Sequence, residues 1–101
     1  MSKECGIRKV MDIFGGKWKL QILWVICNHE GIRFNQLKRE VEGITNVMLV
    51  RSLEVLIDYK LIKRVDFQTV PPHVEYSLTS KGRELIPFME NLDSWGRFNL
   101  N

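Results

Sequence analysis

The sequence predicts a mainly α fold with one small β-hairpin. Three observations carry this. Apolar residues recur at helical spacing over most of the chain, strict alternation is confined to residues 62–78, and a tight turn at Gly43 separates two short helical stretches. A length of 101 residues has room for one modest core, so 1–101 reads as a single domain. The composition, 45% hydrophobic and 27% charged, belongs to a folded chain and not to a disordered one.

Ile7, Val10, Met11 and Phe14 recur at i, i+3, i+4 and i+7, which predicts an amphipathic first helix over roughly 3–14, ended by Gly15-Gly16. From Lys17 to about Asn28 the chain is apolar nearly all round, the mark of a central helix enclosed by its neighbours. Ile32-Arg33-Phe34 reads as a short extended piece. Asn35 is then the expected N-cap of a third helix, with Leu37 and Val41 inward and Gly43 at its end. Thr45 caps a fourth helix running to about Tyr59 or Lys60, whose Leu49, Leu53 and Leu56 share one face. Helix, Gly-containing turn and helix over 35–60 form a helix-turn-helix pattern.

Two alternating runs follow, Ile62 to Gln68 and Val74 to Leu78, joined through Thr69-Val70-Pro71-Pro72-His73. They predict a hairpin over 62–78 with a proline-stiffened, extended tip. Thr79 caps a last helix over about 80–98, striped by Leu85, Phe88, Met89, Leu92 and Trp95. Pro87, inside that stretch, is expected to bend it. The element order is that of a winged helix-turn-helix with a helix added at each end.

The stretches GGKWKLQIL, IRFNQLKREVEGIT, VPPHVEY and LTSKGRELIPFMENLDSW resemble, in the same order, the HxlR-type regulators, bacterial winged helix-turn-helix proteins related to the MarR group. The resemblance covers nearly the whole chain, from Cys5 to Trp95. It implies a transcriptional regulator that binds double-stranded DNA as a homodimer, with the terminal helices of two chains packed together. At the wing the family often carries a basic residue where this chain has His73. In some members a cysteine at the place of Cys5 senses oxidants or electrophiles, which makes Cys5 a candidate redox site.

In a helix-turn-helix the N-terminal half of the second helix meets base edges in the major groove. Asn46, Val47, Val50 and Arg51 occupy that half on the side away from the leucines. Arg51 suits guanine O6 and N7, Asn46 an adenine edge or a phosphate, and the valines a thymine methyl. On the helical wheel Val50 lies between groove and core. Asn35, Lys38, Arg39, Lys63 and Arg64 are the candidate backbone and wing contacts. His73 is either a wing contact or a plain exposed turn residue.

The formal net charge is +3, and residues 33–64 alone carry that same excess. The faces of the first and last helices exceed what a small domain hides within itself, which points to a two-fold dimer through Ile7, Val10, Met11, Phe88, Leu92 and Trp95. Trp95 serves either as an interface anchor or as internal core. Arg8 and Lys9 would favour the Cys5 thiolate and Glu4 would oppose it, whereas Cys27 reads as a packing residue.

No Ser, His and acid pattern suggests a triad and no phosphate loop is present, so an enzyme is not expected. The spacing of two histidines and two cysteines matches no zinc template, and nothing calls for a cofactor or metal. With no bilayer-length apolar run and no apolar leader in MSKECGIRKV, a cytoplasmic protein with no membrane partner is expected. A winged helix used only for protein contacts is the competing function. Salt separates the two, because duplex binding weakens steeply as salt rises.

Overall fold

The computed structural model describes residues 5–100. Eight elements follow in order: α1 (Gly6–Phe14), α2 (Lys19–Asn28), α3 (Phe34–Glu40), α4 (Asn46–Asp58), β1 (Ile62–Asp66), β2 (Val74–Leu78), α5 (Ser80–Arg83) and α6 (Ile86–Asn99).

The core forms around α2, which packs against α1, α3, α4 and β2. Ile22, Leu23 and Ile26 of α2 are completely buried, together with Leu37 of α3, Leu49 and Leu56 of α4 and the hairpin's Ile62 and Leu78. The enclosure of α2 is less complete than its composition implies. Leu20 is exposed and Trp24 half-buried, so one side of the helix opens outward.

Thr45 caps α4 as expected, its hydroxyl accepting from the Met48 N–H at 3.1 Å. Strands β1 and β2 pair antiparallel from Ile62 opposite Leu78 to Asp66 opposite Val74. Ile32 adds a single bridge to Tyr76, so the hairpin is bonded to the piece of chain that leads into α3. Beside it the Glu30 carboxylate accepts from the Leu78 N–H at 3.0 Å and from the Arg83 guanidinium at 2.6 Å.

Several boundaries differ from expectation. Helix α1 begins at Gly6 with Cys5 as its N-cap, and Lys3 and Glu4 lie outside the described residues. Helix α3 begins one residue before Asn35: Arg33 is the N-cap and Asn35 is inside the helix. At the hairpin tip the Val70–Pro71 peptide is cis.

The last helix is also divided. Thr79 caps only the short α5, accepting from the Gly82 N–H, and Pro87 stands in the first turn of α6, where its missing N–H costs nothing. Pro87 therefore starts a helix where a bend was expected.

Gly82 fixes the direction in which α5 leaves the hairpin. Its backbone lies so close to the Leu61 carbonyl that a Cβ there would collide with that oxygen. Replacement by any larger residue must push the turn after α4 away from α5. Gly82→Ala is expected to lower the unfolding free energy by at least about 1–3 kcal/mol, the usual cost of overpacking, read from urea denaturation midpoints. A loss under about 0.5 kcal/mol would mean that this contact relaxes freely.

Candidate nucleic-acid interface

The site begins with the two faces of α4. Leu49, Ser52, Leu53 and Leu56 are buried, which fixes the helix's rotation about its own axis. Asn46, Val47, Val50 and Arg51 are then all exposed on the other side, and Val47 and Val50 retain 58% and 44% of their surface. Val50 thus belongs to the outer face and not to the core. Among the described residues Arg51 has no ion-pair partner, which leaves its planar set of donors open to solvent.

Helix α3 supplies a second group. Asn35 and Arg39 are exposed and Lys38 is half-buried. Arg33, Asn35, Gln36 and Arg39 line a groove of about 390 Å³ whose opposite wall is Pro72 and Val74 of the hairpin. Arg33 and Gln36 had no place among the expected site residues. The positive charge of Arg33 is visible in the sequence, but its position across from Pro72 depends on the Ile32–Tyr76 bridge.

The hairpin presents Lys63 and Arg64 on the exposed part of β1. His73 is not the plain exposed turn residue that was one of the two expectations for it. Its Nε2 lies 2.7 Å from a Glu75 carboxylate oxygen, and its ring centroid is 4.7 Å from that of Phe67. It is a half-buried residue at the root of the loop, held from two sides. The tip itself is Val70, 99% exposed, between Thr69 and Pro71. The neighbouring Asp66 carboxylate accepts from the Gln68 N–H at 2.8 Å. From Val65 to Val74 the hairpin has no lysine or arginine.

On the flanking helices, Ile7, Val10 and Met11 of α1 and Phe88, Leu92 and Trp95 of α6 are all exposed. Trp95 keeps 57% of its surface, so within this chain it is not core. Phe14 and Met89 turn inward, and between α1, α2 and α6 they border a depression of about 370 Å³ with Leu20, Trp24, Leu92 and Asp93. That depression could not be read from the sequence, because it depends on how α6 leaves α5.

Residues 13–101 match the model of the HxlR-like helix-turn-helix family. The chain belongs to that family. MalR of Fusobacterium mortiferum, named for a regulatory role, is 43% identical over 97 residues, which are 95% of this chain and 91% of the relative. A solved structure from Porphyromonas gingivalis W83, assigned to the MarR family, superimposes with a TM-score of 0.90 at 41% identity, covering 99% of this chain and 97% of the other. The redox regulator HypR in its oxidised form gives a TM-score of 0.88 at 35% identity, covering 96% of this chain and 99% of its own. This HxlR-like chain is a DNA-binding transcription regulator with the winged-helix fold.

Among the described residues of this HxlR-like regulator, no helix is long and apolar enough to cross a membrane, and no group of three His, Cys, Asp or Glu is placed to hold a metal ion. Its two thiols differ in setting. Cys5 is exposed at the start of α1. Cys27 is half-buried; burial pushes its thiol above the ordinary value, Glu30 and Glu90 add to that push, and Arg83 opposes it. Cys27 therefore stays protonated at neutral pH, as suits a packing residue.

The two faces of α4 differ in what truncation removes. Val47→Ala and Val50→Ala should each change stability by no more than about 0.5 kcal/mol, whereas Leu49→Ala should cost about 2–5 kcal/mol. Urea denaturation of the three variants checks this. A loss above about 1 kcal/mol at either valine would place it in the core instead.

Proposed function

We propose that the protein is a cytoplasmic homodimer that binds a roughly palindromic duplex operator and acts by binding, not by catalysis. Helix α4 enters the major groove with Asn46, Val47, Val50 and Arg51 toward the bases. Asn35, Lys38, Arg39, Lys63 and Arg64 hold the phosphate backbone. His73 contributes through the shape of the wing and not as a free cation, because Glu75 engages its Nε2.

The observation that carries this reading is the outer face of α4: two exposed valines beside an unpaired arginine on a helix whose inner face is completely packed. A groove that displays thymine methyls and guanine acceptors matches that combination. The proposed dimer is supported by the exposed row on α1 and α6. Pairing those helices across a two-fold axis would cover Ile7, Val10, Met11, Phe88, Leu92 and Trp95 and set two copies of α4 about one DNA turn apart. Cys5, exposed at the N-cap of α1, is the candidate redox site, where a thiol modification or a disulfide across the dimer would alter operator binding.

Selection of bound duplexes from a random pool tests the first part. The dimer should recover a palindromic consensus, and Arg51→Ala should lose preference at one base pair per half-site, at a cost of about 1–3 kcal/mol. Uniform weakening over all sequences would make Arg51 a phosphate contact. No affinity for any duplex at low salt would leave the winged helix a protein-binding module.

Sedimentation tests the assembly. Trp95→Ala should weaken the dimer by about 2 kcal/mol or more, as expected of a buried aromatic anchor. Mild diamide treatment should link or modify Cys5, and a fully reduced Cys5 with unchanged DNA affinity would remove it from the proposal.

A further inference from the structure

We infer that the groove between α3 and the hairpin is a phosphate-backbone clamp, with Arg33 as its main charged contact, and that it replaces the wing tip as the anchor on the wing side. This rests on the DNA-binding mode proposed above and adds Arg33 and Gln36, which that reading does not use.

The groove has the chemistry of an anion site along its α3 wall. Arg33 and Arg39 line it together with the amide side chains of Asn35 and Gln36, and neither arginine has an ion-pair partner among the described residues. The nearby acids Glu40 and Glu42 do not line it. Two guanidiniums and two amides facing one channel offer only donors and neutral acceptors, which suits phosphodiester oxygens and disfavours a carboxylate-rich partner.

The groove's walls are also fixed in place. On one side Phe34 packs against the core. On the other, Val74 begins β2, whose Tyr76 is bonded to Ile32 immediately before Arg33. The Tyr76 N–H donates to the Ile32 carbonyl at 2.8 Å, so the hairpin wall cannot drift from α3 without breaking that bond. A channel with rigid sides and free cations can hold a strand in one register.

The wing tip lacks the means to do the same. It presents Val70 and two prolines, Asp66 is exposed beside it, and the one basic ring of the loop, His73, is engaged by Glu75. Charge on this side of the molecule is concentrated at the groove and at the root of β1, while the tip is apolar. A DNA strand running along the hairpin would therefore find unpaired cations at Arg33 and Arg39 and none at the tip.

The test is the salt dependence of binding to the selected operator duplex, measured by fluorescence anisotropy over about 50–200 mM salt. Removing one phosphate contact lowers the slope of log K against log salt by about 0.9 on B-DNA. Arg33→Ala should reduce the slope by about one per protomer, weaken binding several-fold or more at low salt, and leave the base preference unchanged. Arg33→Lys should restore most of the slope. Val70→Ala should leave the slope unaltered, and any change for His73→Ala should be much smaller than that for Arg33→Ala.

An unchanged slope for Arg33→Ala, in a variant whose thermal melting matches the parent, overturns the clamp while the Arg51 result still stands. A reduced slope for His73→Ala as large as that for Arg33→Ala overturns the relocation of the anchor. Absence of duplex binding by the parent protein overturns both this inference and the DNA-binding mode on which it rests.

Discussion

The positions of the candidate contacts depend on the junction at Glu30, Gly31 and Ile32. Within three residues it fastens the end of α2 to the hairpin. The Gly31 N–H reaches the Tyr76 carbonyl at 3.0 Å and the Ser77 hydroxyl at 3.1 Å, and the Ile32 carbonyl accepts from Tyr76. The two Glu30 oxygens take the Leu78 N–H and the Arg83 guanidinium. Gly31 makes the turn with φ at +82°, where a side chain would be strained and would also crowd the Glu75 carboxylate. Remove this junction and the hairpin would be tied to the domain by side-chain packing of Ile62, Tyr76 and Leu78 without these hydrogen bonds. The groove beside α3 would then have only one fixed wall.

A second constraint is the division of α4 between structure and function. Its leucines hold the helix at one rotation, and at about 100° per residue this determines where every other side chain points. Val47 and Val50 keep 58% and 44% of their surface in water, so each contributes less to the fold through burial than the fully packed leucines do. An arginine beside them limits the apolar patch that would promote non-specific association. The combination is neither a good core nor a good solvated surface. It does suit a partner whose own surface mixes methyl groups with hydrogen-bond acceptors.

The parts of the fold that were legible in the sequence are those set by local periodicity and by caps. The leucine spacing of α4, the Thr45 cap and the alternation of the hairpin each act within a few residues, and the structure agrees with all three. Errors arose where a local signal has two physical outcomes. Asn35 is a good capping residue, yet the chain turns helical one residue earlier because Ile32 is bonded to the hairpin and Phe34 is drawn onto the core. Pro87 bends a helix in its interior but starts one in its first turn. Which applies here depends on the contact of Gly82 with Leu61, a pair 21 positions apart. For His73 the needed signal was local: on a strand, residues two apart share a face, so Glu75 was within reach of it. The groove is the opposite case, since its walls lie more than thirty residues apart and meet only through a tertiary bond.

Helix α1 sets a further condition on the molecule. It has nine residues and none of them is buried. A helix this short is marginal in water on its own, because one costly nucleus is offset by few hydrogen bonds. Its partial anchors are Ile13 and Phe14 at one end, against the core, while Ile7, Val10 and Met11 at the other end are exposed among the described residues. Whatever covers that apolar face therefore also stabilises the helix, and the two equilibria are linked by mass action. In the proposed dimer this linkage makes the order of α1 depend on protein concentration and on the partner's α6. Cys5 stands at the start of this least-supported helix, so chemistry at its sulfur would act on the element whose folding depends most on assembly.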